Sequence, residues 1–415
     1  VSGLELFTSL ALLMTGAAIL ALAVNALWPR TSGRSVIVSW PAAWLAIELP
    51  VHVLLGGTIA VIVLVAVGGI HPLGMAGLVL FGAGAAFLAR FAFLARTAAI
   101  TAEPPLPEVA RGHGSGDGRA YPGSHVLLPW LPWRRRDIKR INNVVYSRHG
   151  NLALKLDITL PRDGEAPPGG RPAIIQVHGG GWTVGTRKDQ AIPLLTHLAA
   201  NGWVGFNIDY RLSPRSRWPD HIVDVKQAIA WVREHASEYG IDPGFITITG
   251  GSAGGHLCAL AALTPGDPRF QPGFEDADTS VAACVPFYGV YDLLDEDRHH
   301  FRPIGSLLQR NVFRARRKQQ PDLFRAASPL HRITADAPPF LVIHGDRDSL
   351  VTVEEGRGFA RMLREKSREP AYYVEVRGGQ HSFDVLPSWR TVRALAVVEQ
   401  FLRGSWEEHR RRQDR

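Results

Sequence analysis

The sequence predicts an α/β domain, a mostly parallel sheet with helices on both faces, preceded by an N-terminal region of three transmembrane helices. Two observations carry this. Three long apolar runs fill the first hundred residues. From about residue 141 short apolar strands alternate with segments of helical period, the pattern of a parallel sheet covered on both sides.

The apolar runs fall near 6–28, 51–70 and 73–95. Each has the ~20 residues needed to cross the hydrocarbon core, and each is apolar all round rather than on one face. That argues against three buried helices of a soluble domain. The first run has no basic start and has two further runs behind it, which argues against a cleaved leader. Only His71-Pro72 separates the second and third runs, so these form a tight hairpin. The link after the first run carries Arg30 and Arg34. The stretch after the third carries Arg96, Arg111 and Arg119. With three spans these basic segments share one side, which the placement of arginine predicts to be cytoplasmic. The expected organisation is a transmembrane region over 1–96, a Pro/Gly-rich and basic linker over 97–140, the α/β domain over 141–403 and a basic tail over 404–415. A linker of this composition implies few contacts across it.

The chain has 46 Lys+Arg against 38 Asp+Glu, a formal charge of +8. The excess clusters in "PWRRRDIKR", "FRARRKQQ" and the C-terminal tail. No recognition motif with interleaved aromatics accompanies it, so nucleic acid is not an expected partner. The stretch at 134–140 is instead placed to lean on anionic headgroups. Cys258 and Cys284 lie in apolar surroundings and read as buried free thiols.

Within the second half, "NLALKLDITL" alternates like a half-buried strand, and "PAIIQVHG", "WVGFNIDY", "GFITITGGS", "AACVPFYG", "PPFLVIHG" and "PAYYVEVRGG" read as further strands. "AIPLLTHLAANG", "DHIVDVKQAIAWVREHASEYG", "AGGHLCALAAL" and "VEEGRGFARMLREK" read as helices.

The chemistry sits where strands end. Gly250-Gly251-Ser252-Ala253-Gly254 is a G-x-S-x-G between a strand and a helix, the context of a nucleophile elbow. The helix that follows aims its N-terminus at developing negative charge. A serine needs a base, and the base needs an orienter. His381 follows one strand, and Asp346 and Asp348 follow another. Asp348 is the expected acid, because Asp346 directly follows a Gly and suits a turn. The chain order Ser, Asp, His is that of α/β-hydrolases. An oxyanion then requires preorganised N–H donors. "HGGGW" at 178–182 offers them from Gly180 and Gly181, with Ala253 of the elbow as the third donor, and His178 anchors the loop.

On these residues the stretch 141–403 resembles the α/β-hydrolase superfamily, and within it the hormone-sensitive-lipase-like and feruloyl-esterase-like carboxylesterases. The resemblance rests on "HGGGW", "DYRLSP" at 209–214, "GGSAGGH" at 250–256, the Asp of "GDRD" and the His of "GGQHSF". With its spans, the whole chain is similar to membrane-anchored actinobacterial lipase/esterases. Three positions depart from the usual pattern. Ser213 and Arg215 replace the Ala and Glu of D-Y-R-L-A-P-E, and Gly251 stands where G-D-S-A-G-G has Asp. Insertions after "FYGVYDL" form part of a cap in this superfamily. Leu307, Leu308, Val312 and Phe313 can line an acyl pocket there or belong to a plain packed helix.

The resemblance implies a serine esterase or lipase acting on a small-molecule or lipid ester, anchored among membrane lipids. Amide cleavage, acyl transfer to an acceptor other than water, and a non-catalytic receptor on the same fold are the competing functions. Triad chemistry needs no cofactor or metal. His299 and His300, beside Asp295 and Asp297, lack clean ligand spacing.

Overall fold

The computed structural model describes residues 2–31, 33, 35–97, 99–107, 120–129, 135–162, 164–296 and 302–415. Arg34, Arg111, Arg119, Arg134, Asp297, His299 and His300 lie outside them.

Four helices open the chain: α1 (Gly3–Leu27), α2 (Val36–Glu48), α3 (Pro50–Gly68) and α4 (Pro72–Thr97). By length and composition α1, α3 and α4 are able to cross a membrane. Small residues let α1 and α4 pack backbone to backbone. A Cβ at Gly77 would sit 2.5 Å from the Leu12 carbonyl, and one at Gly16 would sit 2.0 Å from that of Gly77.

Helix α2 was not expected, since its residues read as the link between spans. At 13 residues it is too short to cross. It folds back on the end of α1, where Asn25 Nδ2 donates to the Ser39 carbonyl at 2.7 Å and Ser39 Oγ donates to Asn25 Oδ1 at 2.6 Å.

The remaining elements alternate. In chain order they are β1 (Ala102–Glu103), α5 (Gly123–Leu127), β2 (Ile138–His149), β3 (Leu152–Pro161), β4 (Arg171–Val177), α6 (Ile192–Ala200), β5 (Val204–Ile208), α7 (Asp220–Glu234), β6 (Ile241–Gly251), α8 (Ala253–Leu263), β7 (Cys284–Phe287), α9 (Arg302–Leu307), α10 (Pro321–Ala327), β8 (Phe340–Gly345), α11 (Val353–Lys366), β9 (Ala371–Val376) and α12 (Trp389–Gln413). The strands form one sheet in the order β1-β9-β8-β7-β6-β4-β5-β3-β2. From β9 to β5 all neighbours run parallel, and β1, β3 and β2 run antiparallel at the edges. Strands β4, β5, β7 and β8 are buried along their whole length, which is why they read as continuous apolar runs. One apolar layer packs Leu257, Ile229 and Phe359 on one face of the sheet, and a second packs Leu195, Phe245 and Leu395 on the other. Cys258 and Cys284 are buried free thiols.

Three stretches behave differently from expectation. Residues 102–103 of the expected linker pair with β9 as an edge strand. Strand β2 begins at Ile138, inside the basic stretch. Residues 404–413 continue α12 rather than forming a tail. Trp406 lies 4.9 Å from the Phe245 ring and His409 pairs with Asp242 at 2.9 Å, so the sheet side holds the helix in place.

The expectation of few contacts between the N-terminal region and the catalytic domain is also not met. Arg347 Nη1 donates to the Leu27 carbonyl at 2.8 Å, and Arg390 Nη1 to that of Ile47 at 2.8 Å. These are terminal carbonyls of α1 and α2, groups without partners inside their own helices. Arginines of the catalytic domain therefore cap both helices. Arg96 lies over the Trp389 ring at 5.3 Å, and His52 Nε2 is 2.8 Å from the Leu127 carbonyl.

Candidate active site

In a parallel sheet the loops leaving the carboxyl ends of adjacent strands meet on one rim. Four loops matter here, after β4, β6, β8 and β9. The strand order β9-β8-β7-β6-β4 sets them side by side.

Ser252 is the one-residue corner between β6 and α8. Its backbone has φ 58° and ψ −119°, a region L-residues rarely occupy. The corner is this sharp because the helix lies almost on the sheet. A Cβ at Gly254 would come 2.0 Å from the Val177 carbonyl, and one at Gly250 would come 2.4 Å from that of Gly254. Two glycines of the motif thus serve helix–strand approach. The third, Gly251, meets Tyr288, whose Oη, Cε2 and Cζ lie 2.7–3.0 Å from where a Cβ would stand. The Asp usual at this position has no room, which explains that departure.

After β4 the chain doubles back. Thr183 N and Val184 N both donate to the Gly180 carbonyl at 3.1 Å. Gly180 takes φ 113°, and a Cβ on it would fall 2.0 Å from the Val184 carbonyl. The Gly179 N–H is committed to Gln190 Oε1 at 2.7 Å, while a Cβ on Gly179 would lie 3.2 Å from Ser252 Cβ. The HGGG segment therefore meets the elbow at Gly179, directly against Gly251 and Ser252. His178 stacks on Tyr210 at 4.3 Å, and Tyr210 Oη donates to the His178 carbonyl at 3.0 Å. Burial pushes the His178 pKa down, so the ring stays neutral as a loop anchor.

The "DYRLSP" segment buttresses this loop. Arg187 Nη1 pairs with Asp209 and Arg187 Nε with Asp157 at 2.5 and 2.9 Å. Arg211 Nη2 pairs with the buried Asp224 at 2.7 Å. Ser213 N donates to the Trp182 carbonyl at 2.8 Å, and Ser213 Oγ lies 3.0 Å from His221 Nε2. An alanine, as in the usual D-Y-R-L-A-P-E pattern, would lack this contact.

His381 Nδ1 lies 2.6 Å from Asp348 Oδ2. The other oxygen of Asp348 accepts from Leu350 N and Val351 N at 2.8 and 2.9 Å, and His344 Nε2 stands 3.3 Å from Oδ2. Burial would raise the Asp348 pKa, but His381 and His344 outweigh it and hold the carboxyl well below its usual range. It is an anion built to accept an imidazole N–H. Asp346 is turned elsewhere, its Oδ1 accepting from Gly378 N at 2.6 Å.

Three residues of this region carried no signal in the sequence. Gln380 Oε1 accepts from both His381 N and Ser349 N, at 2.9 and 2.8 Å, and so ties the two loops together. The Tyr288 ring lies 4.7 Å from the His381 ring and its hydroxyl donates to Asp384. Trp40 of α2 approaches His381 from the N-terminal region. Only the position of Tyr288, at the end of a strand, marks it in retrospect.

Of the expected acyl-pocket residues, Leu308, Val312 and Phe313 are buried in the main core, with Phe313 stacked on Phe324 at 4.3 Å. Leu307 alone of the four reaches the HGGG loop, 3.1 Å from where a Cβ on Gly181 would be.

The fold defines the class, an α/β-hydrolase. Residues 156–363 match the BD-FAE family, and the chain belongs to it. It is 51% identical over 268 residues to the probable carboxylic ester hydrolase LipM of Mycobacterium tuberculosis, covering 64% of this chain and 62% of LipM. It is 39% identical over 374 residues to the esterase LipQ of the same organism, covering 89% of this chain and 85% of LipQ. A solved structure of the butyrate-bound esterase Est2 from Thermogutta terrifontis superposes with a TM-score of 0.53 at 30% identity, covering 64% of this chain and 94% of that one. The match to LipM thus spans about three fifths of its length, whereas that to LipQ, at 374 residues, extends beyond the catalytic domain.

Proposed function

We propose that the chain is a membrane-anchored serine esterase that hydrolyses carboxylic esters with Ser252 as nucleophile, His381 as base and Asp348 as orienter. The observation that carries this is the 2.6 Å contact between His381 Nδ1 and the buried Asp348 carboxylate, on loops flanking the strained corner at Ser252. Ser252 Oγ attacks the ester carbonyl as its proton passes to His381 Nε2. The carbonyl oxygen becomes an oxyanion, met by the N–H groups of Gly180, Gly181 and Ala253. As the tetrahedral species collapses, the C–O bond to the alcohol breaks and His381 returns the proton to it. Water then attacks the acyl-enzyme by the same route, releasing the acid and Ser252. The relatives support an ester rather than an amide substrate, and butyrate in Est2 supports a small acyl group.

The placement of arginines supports a catalytic domain on the cytoplasmic side. Arg30 follows α1 and Arg96 lies in the last turn of α4, and both helix ends meet the catalytic domain, through Arg347 on the Leu27 carbonyl and Arg96 over Trp389.

The test is Ser252→Ala in the full-length protein. Turnover of p-nitrophenyl esters and labelling by a fluorophosphonate should both be lost while the protein stays folded. Wild-type turnover in that variant would remove Ser252 as nucleophile. A wild-type protein that cleaves peptide amides and spares esters would replace the substrate class.

A further inference from the structure

Helix α2 packs against the loop that carries His381. Trp40 Nε1 donates to the His381 carbonyl at 3.1 Å, and Trp44 Nε1 donates to the Ser382 carbonyl at 2.9 Å. Four residues apart, the two indoles share one helix face. The Trp40 ring also stands edge-on to the imidazole, with centroids 6.2 Å apart and planes at 74°. Tyr288 holds another side of the same ring at 4.7 Å. The backbone being held is not relaxed, because Ser382 takes φ 65° without being glycine.

Helix α2 is itself fastened at both ends. Ser39 is bonded to Asn25 of α1 at one end. At the other, the Ile47 carbonyl and the Glu48 carboxylate are bonded to Arg390 and Ser388 of α12. It is a strut between the first span and the histidine loop.

We propose that Trp40 and Trp44 are positioning residues for His381, so that the N-terminal region is part of the active site and not only its tether. The inference rests on the reading of His381 as the catalytic base. Two N–H donors on consecutive carbonyls fix the two peptide planes that follow the imidazole. They set its height above the sheet while Asp348 sets its rotation. A displacement of about 1 Å at a catalytic group costs on the order of 10²-fold in rate, so the donors act on kcat. Both N–H groups are spent on backbone carbonyls of the histidine loop, so KM for a short ester should be left alone.

The test uses full-length protein in nanodiscs with p-nitrophenyl butyrate. Trp40→Phe and Trp44→Phe each keep an aromatic ring and remove one N–H. Each should lower kcat roughly 10-fold and the pair about 10²-fold, with KM unchanged. The rate of fluorophosphonate labelling should fall in step, and the unfolding midpoint should stay in place. Should the double variant melt early, the single variants carry the same comparison. Wild-type kcat in all three variants overturns the proposal, and so does a change confined to KM. Ser252→Ala runs alongside. If that variant retains turnover, the serine reading has failed, and the tryptophan result is then judged on kcat alone.

Discussion

Glu48 and Ser388 are hydrogen-bonded at 2.8 Å, joining the last residue of α2 to the N-cap of α12. Arg390 completes the junction, 3.7 Å from Glu48 Oε1 and almost wholly buried. Burial pushes the Glu48 pKa up and Arg390 works against that shift, and Glu48→Ala removes the acid that faces this buried guanidinium. Breaking one half of a buried pair costs about 3 kcal/mol. Denaturant titration of the full-length protein in micelles should show that loss, and an unchanged midpoint would mean that the junction carries no stability.

The two aspartates after β8 should separate cleanly. Asp348→Asn removes the acceptor of the His381 N–H and should lower kcat by roughly 10⁴-fold, the scale expected when an imidazole loses its tautomer partner. Asp346→Asn disturbs only the Gly378 contact and should cost far less. Steady-state kinetics of the two variants decide it, and a reversed order assigns the acid role to Asp346.

Gly251→Ala would press a methyl group into the buried Tyr288 ring. Overpacking of this kind costs about 1–3 kcal/mol. The melting temperature should drop and the histidine loop should loosen with it, since Tyr288 backs His381. A variant as stable as the parent would show that Tyr288 can move aside.

His221 gives stability an acid limb. Burial, with His256 and Arg211 adding to it, pushes its pKa from 6.5 down to about 3. Between those values the unfolded chain binds the proton and the folded chain does not. Stability from this group is therefore intact above about pH 6.5 and falls as pH drops toward 3, by roughly 1 kcal/mol per unit. In His221→Gln that slope should be missing when unfolding midpoints at pH 7 and pH 5 are compared. Parallel curves for the two proteins would refute the assignment.

Much of the architecture was legible because its physics is local. Fully buried parallel strands are continuous apolar runs, and β4, β5, β7 and β8 are such strands. Long uniform apolar helices declare themselves in the same way. The strand-end positions of Ser252, Asp348 and His381 followed from that alternation. What escaped is held by contacts distant in sequence. Trp40 lies 341 residues from His381, and nothing in its neighbourhood marks it as different from any tryptophan near a span. Gln380 and Tyr288 act through loops that only the sheet order brings together. The end of α12 was hidden by its charges. The helix persists because Trp406 and His409 pack on Phe245 and Asp242, a face that composition alone does not reveal.

The two residues Ala102 and Glu103 cover the outer edge of β9 by pairing with Val374 and Tyr373. Without them β9 would be the last strand of the sheet, with its backbone amides and carbonyls open along a largely buried apolar strand. Open edges of that kind recruit strands from other copies. A recombinant fragment trimmed past residue 103 would then be prone to aggregate, whatever its catalytic competence. The handling properties of this protein in a test tube are thus set by a dipeptide in what composition marks as mere linker.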